Sequence, residues 1–148
     1  GLSNAGMNPL VHVHVGSLAG ACTVGSPSFF HYVLRLAEAD LTLNRQDKEA
    51  LDILAAVPNA FGDDDISWGN GWRIVPAMSQ QDWPVLEATP QRLRDALQTA
   101  RRVLWEHAAP VGISAREIVD VEHEIDLVLG VLQRAEAAGC SVNVAYVS

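Results

Sequence analysis

Positive charge is scarce in this sequence. Lys48 is the only lysine, no charged residue precedes Arg35, and the 148 residues carry a formal net charge of −8. Because nucleic-acid affinity comes largely from lysine and arginine side chains that neutralise phosphates, we do not expect a nucleic-acid partner. An acidic surface suits a basic protein partner, a metal ion or solubility alone.

Long apolar runs are also missing, and cysteine is rare. A helix needs roughly 20 consecutive apolar residues to span a bilayer, and this sequence has no run of that length. We therefore expect a soluble protein without a membrane partner. Two cysteines, Cys22 and Cys140, are too few to indicate a redox compartment. We expect buried free thiols rather than a disulfide.

The start of the chain is uncharged, which raises the question of a targeting segment. It has no basic region, and His12 and His14 interrupt its apolar run, so a signal peptide is not predicted. Residues 1–6 are interpreted as a cloning remnant, and residues 7–148 as a single α+β domain in the cytoplasm. This length is sufficient to bury one hydrophobic core without disulfides.

Four segments combine helical spacing of apolar residues with helix-start signals. A serine, threonine or asparagine precedes each segment as a candidate N-cap. In the last segment Ser114 and Glu117 match a capping box, and Gly139 is a typical residue just beyond a helix C-terminus. The short link between the last two segments predicts an antiparallel helical hairpin. The predicted helices begin near Ser26–Pro27, Arg45, Thr89–Pro90 and Ser114, and the first two end near Ala39 and Val57.

Strand signals lie at both ends of the chain and in its middle. Leu10–Gly16 alternates valine with other residues, and Ser141–Ser148 is a similar segment. In the middle, Gly69-Asn70-Gly71 separates two β-rich stretches, which predicts a hairpin with Trp68 opposite Trp72. The glycine- and serine-rich segment after the first strand is predicted to be a loop. Pairing the first strand with the last gives one small, mainly antiparallel sheet covered by about four helices, an α+β fold.

The central hairpin carries the strongest indication of a binding surface. Three aspartates, Asp63, Asp64 and Asp65, precede it, and two tryptophans, Trp68 and Trp72, flank its turn. Tryptophan supplies large rigid contact area at the centre of protein interfaces, and aspartates attract a basic partner. The aspartate spacing lacks the alternation of an EF-hand loop, so calcium binding is not predicted. The leading hypothesis is a small acidic protein-binding module, such as an adaptor, an inhibitor or an immunity-type partner of a basic protein.

A second hypothesis rests on His12 and His14. Histidines two residues apart on a strand lie on the same face, as in several metal enzymes. A zinc site needs further ligands, which His31, the three aspartates or Glu122–His123 could supply if the fold brings them close. This hypothesis describes a small metal-dependent hydrolase or a related enzyme. Apart from zinc, no cofactor is expected.

No catalytic or nucleotide-binding motif is present. The sequence has neither Gly-x-x-x-x-Gly-Lys nor Gly-x-Gly-x-x-Gly, and it lacks the flanking pattern of a nucleophile elbow. On balance, an enzyme is not expected. A third hypothesis is a homodimer that binds a small ligand between its subunits. Leu127, Leu129 and Val131 favour it, because they are apolar residues outside the regular spacing of the fourth helix.

Overall fold

The computed structural model describes residues 10–15, 21–24, 28–57, 60, 62, 65–69, 72–77 and 84–147. Within them the helices are α1 (Ser28–Glu38), α2 (Arg45–Ala56), α3 (Pro90–His107) and α4 (Ala115–Ala138). The strands are β1 (Leu10–Val15), β2 (Ala21–Val24), β3 (Ile66–Gly69), β4 (Trp72–Val75), β5 (Val85–Ala88) and β6 (Val142–Val147). Among these helices, none has both the length and the apolar character that crossing a bilayer requires.

The strands form one sheet in the order β2-β1-β6-β5-β4-β3, and all neighbouring strands run antiparallel. The α+β prediction is confirmed, as are the central hairpin and the pairing of the first strand with the last. β6 lies inside the sheet, where it pairs with β1 on one side and β5 on the other. The last strand of the chain therefore joins the two N-terminal strands to the hairpin.

Two strands differ from the sequence-based expectation. β2 lies within the segment predicted to be a loop, so that prediction is wrong for residues 21–24. β5 follows Pro84, where the sequence predicts no element. Both strands are four residues long, and a strand this short is stabilised by its neighbours more than by its own sequence. β2 pairs with β1, and β5 is held between β4 and β6.

The two faces of the sheet differ in burial. Ile74, Leu86 and Val144 are neighbours in one cross-strand row and are buried. They belong to the same core as the inner sides of the four helices. In the adjacent row, Arg73 and Glu87 are accessible to solvent. Since side chains alternate between the faces of a strand, the helices cover one face of the sheet.

The helix ends follow the predicted capping residues. Asn44 begins α2 and Thr89 begins α3, and each side chain accepts a hydrogen bond from the backbone N–H three residues further on. Ser114 and Glu117 form the predicted capping box at the start of α4. Gly139 ends α4 with a φ of 69°, a left-handed conformation that glycine adopts without steric cost. Local sequence therefore determines where these helices begin and end.

α3 and α4 pack as the predicted antiparallel hairpin. Arg94 lies 2.6 Å from Glu136 and Arg101 lies 2.6 Å from Asp126, so later positions on α3 meet earlier positions on α4. The apolar positions at regular spacing on α4 are all buried: Ile118, Val121, Ile125, Val128, Leu132 and Ala135. Val131 is buried as well, so it offers no surface for self-association.

Asp47 fixes α2 to α3. Among the described side chains it is the only polar or charged one that is buried. Its carboxylate lies 2.5 Å from the Arg102 guanidinium and also accepts a hydrogen bond from the Asn44 amide. The bond to Asp47 is the main cause that raises the pKa of Arg102. A buried carboxylate requires such partners, because removing it from water is costly.

A hydrogen-bonded cluster ties α1 to the start of α4. Tyr32 donates its phenolic hydrogen to Glu117, and Arg35 donates to the backbone carbonyl of Val111 in the α3–α4 connection. The bond from Tyr32, followed by those from Ser114, lowers the pKa of the Glu117 carboxyl. The same bond, followed by burial, raises the pKa of Tyr32. The cluster therefore favours a neutral tyrosine beside an ionised glutamate.

Lysine substitutions at two adjacent positions of β6 should differ strongly in effect. Val144→Lys places a charge in the core, where Val144 is 5% exposed, and should cost more than about 3 kcal/mol of unfolding free energy. Asn143→Lys adds a charge beside Glu87 on the accessible face, and should change that free energy by about 1 kcal/mol or less. Urea unfolding followed by circular dichroism measures both. Equal losses would contradict the division of the sheet into a covered and an accessible face.

Tyr32→Phe removes the hydrogen bond to Glu117 and should lower the melting temperature by about 3 °C at neutral pH. Because the folded-state pKa of Glu117 is lowered, its contribution is present above the unfolded pKa of roughly 4.3 and is lost as the pH falls through the folded pKa. The difference from the wild type should therefore shrink below about pH 4. Glu49→Gln, at an exposed position on α2, is the control. If the difference in melting temperature between Tyr32→Phe and the wild type stays constant below about pH 4, the stabilising hydrogen bond of Tyr32 does not depend on ionised Glu117.

Candidate functional site

The predicted binding hairpin lies at one edge of the sheet. β3 is the last strand in the sheet order, and within the described residues it pairs with β4 alone. An edge strand presents backbone N–H and C=O groups that can pair with another chain. Asp65 lies directly before β3 and is exposed. Asp63 and Asp64 lie outside the described residues.

A β-bulge changes the expected position of the tryptophans. Ser67 pairs with Arg73 and Gly69 pairs with Trp72, which leaves Trp68 as the extra residue of β3. The prediction that Trp68 lies opposite Trp72 is wrong, because two residues rather than three join the strands. The Asn-Gly pair at these two positions is the sequence that favours two-residue connections. The side chains of both tryptophans lie outside the described part of the chain, so their role as contacts stays a prediction.

Backbone hydrogen bonds hold the chain on both sides of the aspartate run. The N–H of Gly62 donates to the carbonyl of Ala77 at 3.1 Å, and the N–H of Ala77 donates to the carbonyl of Ala60 at 2.9 Å. At the other end of the run, Ile66 pairs with Ile74. Both ends are thus fixed to the same outgoing segment of the hairpin. A loop with fixed ends has less conformational entropy to lose when a partner binds.

Arg73 joins two carboxylates across the hairpin and β5. Its guanidinium lies 3.3 Å from Asp65 and 2.5 Å from Glu87, its cross-strand neighbour. All three side chains are between one third and one half exposed, so each pair contributes only about 0.2–1 kcal/mol. One positive charge between two negative charges leaves this side of the hairpin acidic. Glu87 could not be recognised from the sequence, because its place beside Arg73 depends on β5.

The predicted histidine pair belongs to the sheet face opposite the helices. His14 pairs in register with Asn143, and Asn143 pairs with Glu87 on its other side. His12 is two residues from His14 and therefore belongs to the same face of β1. The side chains of both histidines lie outside the described part of the chain. In the sheet register, His14 pairs with Asn143 and Ala21, and His12 pairs with Thr23 and Ala145.

The helical residues suggested as further zinc ligands lie on the other side of the sheet. His31 belongs to α1 and His123 to α4, in the layer that covers the buried face. Glu122 lies 3.4 Å from Arg101, where it takes part in the α3–α4 contact. Among the described side chains, no group of three His, Cys, Asp or Glu residues is placed to hold a metal ion. The zinc hypothesis, with these residues as its further ligands, stays a prediction.

A groove of about 370 Å3 between α2 and α3 has no counterpart in the sequence-based predictions. Each helix contributes residues at i, i+3, i+4 and i+7, the spacing of one helical face. The floor is formed by alanine and isoleucine, and the rim carries charges of both signs. The lining residues are Gln46, Glu49, Ala50 and Ile53 from α2, and Arg92, Asp95, Ala96 and Thr99 from α3.

Comparisons with known proteins do not connect the chain to a family. No protein-family model matches it, and searches of curated proteins and of solved structures find no match. The hairpin edge is the candidate site on its own geometry, since it combines an edge strand with Asp65 and Glu87 around Arg73. Unlike the rim of the α2–α3 groove, it is uniformly acidic around its single arginine.

A double-mutant cycle should detect the pair between Arg73 and Glu87. Arg73→Gln, Glu87→Gln and the double variant should give a coupling free energy of about 0.2–1 kcal/mol in urea unfolding, which decreases at high salt. The same cycle with Glu49→Gln is the control, since Glu49 lies on α2 in the helix layer and should show coupling close to zero. Zero coupling in both cycles would contradict the register between β4 and β5.

Proposed function

We propose that this chain is a small acidic protein-binding module whose interface is the β3–β4 hairpin together with the aspartate run before it. In this proposal it acts as an adaptor, an inhibitor or an immunity-type partner of a basic protein. The observation that supports the proposal is the position of the hairpin at the edge of the sheet among the described strands. The fixed ends of the aspartate run support it further.

The charge of the chain supports a basic partner. The net charge is −8, and the three aspartates place part of it directly beside the hairpin. A concentrated negative field raises the rate of encounter with a positively charged protein. Much of the positive charge of the chain is already paired with its own carboxylates. Within the described residues, five basic side chains form ion pairs with carboxylates: Lys48, Arg73, Arg94, Arg101 and Arg102.

The edge strand offers a second type of contact. A partner strand can add to the outer side of β3 through backbone hydrogen bonds, a common mode of protein recognition. Because β3 has only four residues and contains the bulge, side chains must supply most of the affinity. Tryptophan is enriched among the residues that dominate binding energy. We therefore assign Trp68 as the anchor and Trp72 as its neighbour in the interface.

Neutralising the aspartate run should slow association with the partner. The triple variant is Asp63→Asn, Asp64→Asn and Asp65→Asn, and it changes the net charge from −8 to −5. The binding partner is a basic protein captured with the wild-type chain. The on-rate of the triple variant for this partner should be about tenfold lower than that of the wild type at low salt, and it should depend less on salt concentration. The matched control makes the same change in net charge at three other exposed positions: Glu38→Gln, Asp40→Asn and Glu49→Gln. Equal on-rates for the two triple variants would refute steering by the hairpin.

The anchor role of Trp68 predicts a different kinetic effect. Trp68→Ala should leave the on-rate nearly unchanged and raise the off-rate, weakening binding by about 2 kcal/mol or roughly 30-fold in Kd. Surface plasmon resonance separates the two rates. Gln98→Ala, at an exposed position on α3, is the control. If the control substitution raises the off-rate and Trp68→Ala does not, the interface does not lie at the hairpin.

A further inference from the structure

The large apolar side chains that stay exposed lie on the outer side of the helix layer. Among the described residues they are Trp105 on α3 and Val119 and Leu127 on α4, with exposures of 50%, 44% and 54%. Leu129 is only half-buried and Val131 is buried, so neither adds a large exposed surface. Exposed apolar area that is confined to one part of a surface is typical of an interaction site.

Trp105 and Val119 lie at the same level of the α3–α4 hairpin. Arg101 lies 2.6 Å from Asp126 and 3.4 Å from Glu122. Because the helices are antiparallel, one turn later on α3 corresponds to one turn earlier on α4. That step leads from Arg101 to Trp105 on one helix and from Glu122 to Val119 on the other. The two apolar residues therefore border the same groove between the helices.

Leu127 lies midway between two opposite charges. Asp120 is seven residues before it and Arg134 is seven residues after it, and all three are exposed. Seven residues are close to two helical turns, so the three residues lie along one side of α4 at intervals of about 10 Å. Within the described part of the chain, neither Asp120 nor Arg134 forms an ion pair.

Gly130 lies on the same exposed side of α4. A glycine inside a helix is destabilising relative to alanine. A Cβ atom built at Gly130 meets no atom within 4 Å, so packing inside the chain does not require glycine here. A missing side chain one turn from Leu127 lets another backbone come close to this part of the helix.

We infer that α4 is the contact surface for a second copy of this chain, packed antiparallel about a two-fold axis at Leu127. In that arrangement Asp120 of each copy meets Arg134 of the other, since the two charges are equally distant from the axis. A two-fold interface must be complementary to itself, and this order of charges meets that condition. The inference does not rest on the proposed function of the hairpin.

The test measures molecular mass by sedimentation equilibrium over a wide concentration range. The wild-type chain should dimerise with a Kd on the order of 10–100 µM, as expected for a contact formed mainly by one helix. Asp120→Arg and Arg134→Asp should each weaken dimerisation by at least about tenfold, because each variant brings like charges together. An equimolar mixture of the two variants should form dimers again, since every contact then joins opposite charges.

Each outcome decides the inference. Recovery in the mixture supports it and also shows that both variants are folded. A wild-type chain that stays monomeric at all concentrations overturns it. If both single variants still dimerise, the chains associate through another surface. The same conclusion follows if both variants are monomeric and folded by circular dichroism, and their mixture does not form dimers. Leu127→Glu is a second disrupting variant, and Glu49→Gln on α2 is the control that should dimerise like the wild type.

Discussion

The central position of β6 is the constraint on which the rest of the structure depends. It pairs with β1 on one side and with β5 on the other, so the two halves of the sheet meet only through the last strand of the chain. Its register also decides which residues enter the core. Val142 and Val144 lie inward, and a shift by one residue would bring Asn143 there instead. The hairpin is held at its edge position because this strand and β5 are in register.

Covering one face of the sheet leaves surfaces of different character. The hairpin edge carries carboxylates and an edge strand, whereas the outer side of α3 and α4 carries exposed apolar residues and charges of opposite sign on either side of Leu127. These surfaces belong to different layers, so a second copy on α4 and a basic protein at the hairpin need not compete. A dimer built in this way presents two hairpins, and binding of both to a repetitive partner would raise the overall affinity without any new contact.

Local signals in the sequence were sufficient for the helices and insufficient for two of the six described strands. Asn44, Ser114 and Gly139 set helix ends by hydrogen bonds within a few residues, so their positions could be predicted. β2 and β5 depend on neighbours distant in sequence, and a four-residue stretch does not reveal them. The candidate site shows the same limit. The aspartates and tryptophans are visible in the sequence. The bulge at Trp68 depends on the length of the connection between β3 and β4, and the Arg73–Glu87 pair depends on the order of the strands.

The ion pairs leave net negative charge both on the helices and at the hairpin. Four arginines each contact two carboxylates, namely Arg73, Arg94, Arg101 and Arg102. Each of these groups keeps one net negative charge, so the pairs fix the fold without making the surface neutral. On the helices, the groups around Arg101 and Arg102 adjoin each other, and the group around Arg94 lies two turns earlier on α3. At the hairpin, Asp65 is covalently continuous with two further aspartates whose flanking backbone is held in place. Charges within a Debye length of about 10 Å act together on an approaching molecule, so the carboxylates on the helices and those at the hairpin both contribute to the field around the chain.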